Sequence, residues 1–257
     1  MKLGLRSILF LIILMGSYYV KAQNNQAPVL DEKKILFKKE YTVGALITNR
    51  GFGVNFKYGK QTSGYRKITF NSELAVIKHP QEVRQVNPLS ASNPKSFAYG
   101  KKNNLILLRL GVGSDQLLFD KDEKDGVEIQ FIYDAGISLG LIKPIYYDVQ
   151  DPLNSEFVVV IEEKFDPIRQ PDPSFIYGTS GFLRGLGETT LIPGLYAKAG
   201  LNFDFSREEE KIKSIEIGLT LDGFSKKTPI MAVFNNIDIN KQTFLCLYLK
   251  ASLGRKY

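Results

Sequence analysis

The stretch TFLCLYLKASLGRKY, residues 243–257, decides the fold because its apolar and polar side chains alternate. One face carries Leu245, Leu247, Leu249, Ala251, Leu253 and Tyr257, and the other carries Cys246, Tyr248, Lys250, Ser252 and Gly254. Successive side chains of a strand point to opposite faces. A membrane barrel needs an apolar row against lipid and tolerates a polar row inside. The stretch therefore predicts the closing strand of an outer-membrane β-barrel.

The other end of the chain has the layout of an export signal. Lys2 and Arg6 precede an apolar core at 8–15, and Val20-Lys21-Ala22 forms a small-residue cleavage site. We expect a cleaved signal peptide over 1–22; an uncleaved anchor is the alternative, although the apolar run is short for a membrane span. Removing this segment also removes three cations from a chain of formal charge +7. The remaining charge is spread along the sequence, which does not favour a nucleic-acid partner.

Seven further segments alternate in the same way, so the predicted fold is all-β, an eight-stranded antiparallel transmembrane β-barrel with long outer loops. Residues 23–40 are expected to form a periplasmic lead and residues 41–257 the barrel. The expected strands are 41–48, 52–59, 67–76, 105–112, 127–140, 195–205, 215–222 and 243–257. A secreted β-sandwich also alternates. The apolar faces of the segments carry no charge, and the segments reach the nine to eleven residues that a tilted membrane strand needs. Both features favour the barrel.

The connections differ in length in a way that predicts orientation. With a periplasmic N-terminus, the outer connections are 49–51, 77–103, 141–194 and 224–242, and the inner turns are 60–65, 113–126 and 206–213. Long loops outside and short turns inside are typical of outer-membrane barrels.

The inward rows carry charges of both signs. The predicted lumen network consists of Lys57, Lys67, Glu73, Arg109, Glu128, Asp134, Lys198, Asp204, Glu216, Asp222 and Lys250. Side chains fill an eight-stranded barrel, so these groups are expected to pair with one another, which argues against a wide pore.

The long loop 141–194 is the strongest candidate for a functional surface, because loops of this length without a role are uncommon. Segments 143–147 and 157–161 predict a hairpin above the membrane, and a short helix is expected near Gly181 to Leu186. The glycines of this loop lack the lysine and the strand–helix context of a phosphate-binding loop. The predicted partner surface consists of Tyr146, Tyr147, Phe157, Phe175, Tyr177, Phe182 and Leu186.

Three stretches resemble a group of small, mostly uncharacterised outer-membrane β-barrel proteins of Bacteroidota-type bacteria. They are Thr48–Val54, Leu139–Pro144, and Gly185–Glu188 followed by Pro193–Leu201. The resemblance covers most of the mature chain and identifies no active site. It implies an accessory role in an envelope machine for secretion, gliding or outer-membrane protein assembly.

An enzyme is the main alternative in function. Small barrels that modify lipids generally use a histidine beside a serine or a carboxylate. The chain has one histidine, His79, which we expect to be accessible, with Ser72 and Glu82 nearby in sequence but no serine motif. The acidic clusters 120–125 and 208–210 lack the spacing of a calcium loop and are expected to be solvated turns.

The sequence therefore predicts a non-enzymatic protein that is exported to the bacterial outer membrane. There it is expected to be a structural or interaction subunit of an envelope complex. Its expected partners are outer-membrane lipid and one or more envelope proteins, with no cofactor, no metal and no nucleic acid. A lipid-modifying enzyme and a narrow channel stay open as alternatives.

Overall fold

Period-two alternation continues through eight long strands, which close into an antiparallel barrel in the computed structural model. The structure describes residues 37–87, 95–121, 126–150, 160–234 and 236–257. The strands are β1 (Lys39–Thr48), β2 (Gly51–Ser63), β3 (Arg66–Ile77), β4 (Arg84–Gln85), β5 (Phe97–Ala98), β6 (Asn103–Phe119), β7 (Glu128–Pro144), β8 (Tyr146–Gln150), β9 (Val160–Lys164), β10 (Ile176–Thr179), β11 (Thr190–Asp204), β12 (Lys211–Phe224) and β13 (Thr243–Lys256). Short 3-10 helices occur at Pro173–Phe175 and Leu186–Glu188.

The barrel order is β1-β13-β12-β11-β7-β6-β3-β2, and β2 pairs with β1 to complete the ring. The last strand closes the barrel against the first, with Thr42 opposite Gly254, Ala45 opposite Ala251 and Thr48 opposite Tyr248. The predicted eight-stranded barrel is confirmed. Closure leaves no sheet edge exposed, because every barrel strand has a partner on both sides.

The two ends of the barrel differ in their connections. At one end, here the loop end, the strands are joined by loop 1 (49–50), loop 2 (78–102), loop 3 (145–189) and loop 4 (225–242). The opposite end, here the turn end, has the shorter connections 64–65, 120–127 and 205–210. The asymmetry matches the prediction, but several limits were wrong. The expected turn 113–126 is strand as far as Phe119, and the expected loop 141–194 loses residues at both ends to β7 and β11.

The outward face is an apolar belt. One outward residue from each barrel strand shows its continuity, since each of these side chains is 49–68% exposed: Val43, Val54, Phe70, Val112, Ile137, Leu195, Leu219 and Leu247. Toward the turn end the belt passes into exposed aromatic residues: Tyr41, Tyr65, Phe119, Phe131, Tyr133, Phe205 and Tyr257. Exposed cations lie at the same end of the barrel: Lys39, Lys60, Arg66, Lys211, Lys213 and Arg255.

The inward face is filled by three layers of side chains. Nearest the loop end lies an apolar plug, which consists of Ile77, Leu105, Leu107, Ile142, Ile192, Phe224, Ile230, Met231, Phe244 and Cys246. Below the plug lies a layer of buried ion pairs, and a polar mouth follows at the turn end. Leu105 and Leu107, which blur the alternation in the sequence, face inward as members of the plug.

The long loops fold over the barrel as a cap. Strands β10, β8 and β9 form a three-stranded sheet, and β4 pairs with β5. The expected hairpin is present in the described residues, where Tyr146–Gln150 pairs with Val160–Lys164. Residues 157–159 of its expected second segment lie outside the described residues. A second apolar core, Phe97, Ile145, Tyr147, Val149, Phe165, Ile176 and Ala232, joins loops 2, 3 and 4. Among the described residues, no helix is long and apolar enough to cross a membrane.

Candidate functional site

Arg109 is the centre of the ion-pair layer. Its Nε lies 2.8 Å from Asp222 Oδ1 and its Nη2 lies 2.7 Å from Asp222 Oδ2, which makes a bidentate pair. Its Nη1 also donates to Glu73. Ser138 donates its hydroxyl to Asp222 at 3.1 Å. One guanidinium therefore connects β3, β6 and β12 across the lumen, in the planar geometry that arginine suits better than lysine.

The other side of the same layer is built on two lysines. Lys198 Nζ lies 2.7 Å from Glu73, and Lys250 Nζ lies 2.6 Å from Glu216. Tyr248 donates its hydroxyl to Glu216 at 2.8 Å, and its ring lies 4.3 Å from the Lys198 ammonium. Each charge therefore has an opposite charge in hydrogen-bond contact, which is the condition under which buried ions are tolerated.

Glycines make room for the Tyr248 ring between neighbouring strands. A Cβ atom on Gly218 would lie 2.3 Å from the Ala199 carbonyl oxygen and 2.7 Å from the Tyr248 hydroxyl. On Gly200 it would lie 2.5 Å from the Ile217 carbonyl oxygen. The paired glycines, which face each other in the register of β11 and β12, thus set the position of Tyr248.

Two further ion pairs lie at the polar mouth, and the sequence predicted only the lysine of each pair. Lys57 lies 2.9 Å from Asp115, and Lys67 lies 2.8 Å from Glu40. Asp115 was assigned to a turn and Glu40 to the lead, although both continue the inward phase of their strands. Extending the alternation of Arg109, Gly111 and Gly113 by one step would have found Asp115.

The remaining predicted network residues, Asp204, Glu128 and Asp134, lie on β7 and β11. Asp204 accepts the Ser206 amide at 2.9 Å and lies 3.5 Å from Lys121. Glu128 is half-buried and accepts from the Gln130 amide. Asp134 is buried beside Tyr196, and one of its oxygens has no hydrogen-bond partner. A cavity of about 20 Å³ at this mouth is large enough for about one water molecule.

His79 is buried, with 4% of its surface exposed, so the expected accessibility was wrong. Its Nε2 lies 3.2 Å from the Ile239 carbonyl oxygen, and its Nδ1 accepts the Gln81 amide at 3.3 Å. This pattern requires a neutral ring with the proton on Nε2. Burial lowers the pKa of His79. Ser72 faces outward on β3, and Glu82 pairs with Lys101 at 2.7 Å, so the three residues form no catalytic group.

The structure exposes only some residues of the predicted partner surface. Tyr147 is wholly buried in the cap core and donates to the carbonyl oxygens of Ala98 and Lys101 at 3.0 and 2.7 Å, so its place on a surface was wrong. Tyr146 and Tyr147 are consecutive in β8, and adjacent residues of a strand face opposite sides of the sheet, so only one of them can face away from the cap core. Phe157 lies outside the described residues. Tyr146 and Tyr177 are half-buried, whereas Phe175, Phe182 and Leu186 are exposed.

Four side chains hold the segment 181–188 against the cap sheet, and we call them the clasp: Tyr146, Lys164, Arg184 and Glu188. The Tyr146 hydroxyl donates to Glu188 at 2.6 Å, and Lys164 donates to the other carboxylate oxygen. The Arg184 guanidinium lies over the Tyr146 ring at 5.0 Å. Lys164 and Tyr146 together hold the pKa of Glu188 below its usual range.

The clasped segment is not the α-helix that the sequence suggested. Gly185 adopts a left-handed φ of 80°, and a 3-10 helix follows at Leu186–Glu188. This conformation favours glycine and breaks a regular helix. As a result Phe182 and Leu183 project outward, 63% and 76% exposed.

The described acidic residues of the two turns are solvated. Glu208 pairs with Lys211 at 2.8 Å and Glu210 with Arg255 at 2.9 Å, all of them exposed. Within the described residues no three acidic, histidine or cysteine side chains are placed to hold a metal ion. Most of the cluster 120–125 lies outside the described residues.

No family model matches this sequence, and no curated protein sequence matches it. Among solved structures, the chain is similar to the crystal structure of Neisserial surface protein A (NspA), with 10% sequence identity and a TM-score of 0.38. The match covers 85% of this chain and 96% of the NspA chain.

Proposed function

We propose that this protein is a non-enzymatic β-barrel of the bacterial outer membrane, which it reaches by export and where it serves as an interaction subunit of an envelope complex. The outward face supports the location. Every barrel strand presents apolar side chains outward, and exposed aromatic residues and cations lie at the turn end. This arrangement matches a lipid core that is bordered by an interface region.

The filled lumen directs function to the outside of the barrel. The plug joins apolar side chains of six strands, and Ile230 and Met231 of loop 4 complete it. Leu105, Leu107 and Phe244 have no exposed surface, so the plug excludes solvent from this part of the lumen. Below it Arg109, Lys198 and Lys250 each pair with a carboxylate. These features favour a scaffold over a channel.

The observation that carries the proposal is the exposed turn of loop 3. Phe182, Leu183 and Leu186 project from a segment that the clasp fixes to the cap sheet. Ordered, exposed apolar groups of this kind mark interaction sites, because little entropy is lost when a partner covers them. Arginine and aromatic residues beside them are also typical of binding hot spots.

Co-purification tests the proposal. The protein is extracted from its native membrane in a mild detergent, as wild type and as the variant Phe182→Ser with Leu183→Ser and Leu186→Ser. We expect one envelope protein to accompany the wild type in stoichiometric amount and to be lost from the variant. The control is Val83→Ser, which removes an equally exposed apolar residue from loop 2. A wild-type protein recovered alone after cross-linking would contradict the proposal.

The resemblance to small barrels of Bacteroidota-type bacteria stays a proposal. It suggests that the accompanying protein belongs to a machine for secretion, gliding or outer-membrane protein assembly. Mass spectrometry of the co-purified protein tests this directly. A partner from none of these machines would remove the basis for that assignment while leaving the interaction role in place.

A further inference from the structure

A cavity of about 360 Å³ opens at the loop end, between loop 3, loop 4 and the barrel rim. Its size is within the range of sites for small ligands. The floor is apolar, since Ile142 and Ile192 of the plug and Phe165 of the cap core line it. The cavity is therefore built on side chains that both cores hold in place.

The rim of the cavity is basic. Lys102, Lys164, Lys226 and Lys227 line it, with Glu188 as the one carboxylate among the described lining residues. Lys164 is engaged by Glu188, and Lys227 lies 2.8 Å from Asp238. Among the described residues no carboxylate lies within ion-pair distance of Lys102 or Lys226. Two cations above an apolar floor are thus left to a ligand.

We propose that this cavity binds a phosphate monoester that carries an apolar group. Lys102 and Lys226 contact the phosphate, for which lysine acts as a compact positive charge. The apolar group lies against Ile142, Ile192 and Phe165, where it leaves water. The apolar part distinguishes such a ligand from inorganic phosphate, and the charge distinguishes it from a zwitterionic lipid.

The cavity shares Lys164 and Glu188 with the clasp, but it does not include the exposed turn of loop 3. Phe182, Leu183 and Leu186 do not line the cavity. The inference can therefore stand or fall without the interaction role proposed above.

The test uses the purified full-length mature protein in a nonionic detergent and isothermal titration calorimetry. The probes are dihexanoyl phosphatidic acid, dihexanoyl phosphatidylcholine and inorganic phosphate. We expect saturable one-to-one binding of the phosphatidic acid, with a Kd at least about tenfold lower than that of inorganic phosphate. Burial of only a small part of the apolar group is enough to give this ratio of Kd values. The Kd should also rise with salt concentration, because the lysines are exposed.

Variants separate the site from general charge attraction. Lys102→Gln and Lys226→Gln should each raise the Kd for phosphatidic acid about tenfold, since each removes one charged contact. Lys60→Gln, which removes an exposed lysine at the turn end, should leave the Kd unchanged. Both lysines are on the surface, so the variants should keep the folded barrel, which circular dichroism verifies.

Three results would overturn the inference. The first is phosphatidic acid binding that is the same in wild type, Lys102→Gln and Lys226→Gln. The second is equal affinity for inorganic phosphate and phosphatidic acid, which would show that the apolar floor takes no part. Equal binding of phosphatidylcholine would likewise exclude a charge-selective site.

Discussion

Arg109 and Asp222 meet across the lumen in a bidentate pair, with N to O distances of 2.8 and 2.7 Å and almost no exposed surface on either side chain. The pair joins strands that are not neighbours in the barrel. It therefore braces the wall from inside, above the mouth and below the plug. Its removal tests whether the lumen network supports the barrel.

Arg109→Met should lower the free energy of unfolding by about 3 to 5 kcal/mol, because it leaves Asp222 as a buried, uncompensated charge. Urea unfolding in detergent micelles measures the change. Arg109→Met combined with Asp222→Leu should recover most of the loss, since neither charge then remains unpaired. The exposed pair of Lys211 and Glu208 supplies the comparison, and Lys211→Met should have no measurable effect. Equal effects at both pairs would contradict the assigned role of Arg109.

The plug makes a prediction about cavities. Leu107→Ala should cost about 2 to 5 kcal/mol, because the vacated volume lies among buried side chains that cannot close over it. Leu108→Ala is the matched control on the same strand, and its side chain points outward. We expect the smaller loss there, since lipid or detergent chains fill the space. A larger loss at Leu108 would mean that the inward and outward rows are exchanged.

The Tyr248 site predicts a sharp difference between two glycines of β12. Gly218→Ala should impair folding, because the new Cβ would lie 2.3 Å from a backbone oxygen that cannot move independently. Gly223→Ala should be tolerated, because nothing lies within 4 Å of the new atom. The fraction of heat-modifiable folded barrel on an unheated gel measures both. Normal folding of Gly218→Ala would show that β11 and β12 are not so closely apposed.

His79 predicts a pH dependence for the contact between loops 2 and 4. Burial lowers its pKa in the folded protein, so the unfolded chain, with a pKa of about 6.5, binds more protons at low pH. The stabilising contribution is therefore present above about pH 6.5 and is lost as the pH falls further. The nearby charges are Lys241, Arg50 and Glu82. Amide hydrogen exchange of loops 2 and 4 should increase between pH 7.5 and pH 5, after correction for intrinsic rates.

His79→Gln is the control for this dependence. A glutamine amide does not titrate here and can both donate to the Ile239 carbonyl and accept from the Gln81 amide. Its corrected exchange should change far less with pH. An unchanged pH response in this variant would assign the effect to another group.

Much of the barrel follows from local pattern. In β13 every side chain from Leu245 to Leu253 lies on the expected face, because the period of a strand is fixed and the two rows differ in polarity. Leu105 and Leu107 could not be assigned in this way. They face inward because loop 4 returns to the barrel and makes the upper lumen apolar, which is a long-range contact that their own segment does not encode.

The loops were less predictable than the strands for the same reason. Tyr146 and Tyr147 are adjacent and chemically identical, yet one belongs to the clasp and the other to the cap core. Only the packing of the small sheet against loops 2 and 4 distinguishes them. Lys102 and Lys226 are likewise 124 positions apart in sequence by their numbers, and only the folded chain places both on the wall of one cavity.

One fluorescence measurement tests the central claim that the barrel lies in lipid and that its lumen is sealed. The chain has no tryptophan, so Leu247→Trp and Phe244→Trp each introduce a single reporter, at two positions of β13 that have opposite phase. In bilayers, brominated lipid should quench the emission of Leu247→Trp and aqueous iodide should not, whereas neither should quench Phe244→Trp. Iodide quenching of Phe244→Trp, or of Leu247→Trp in preference to brominated lipid, would contradict the account.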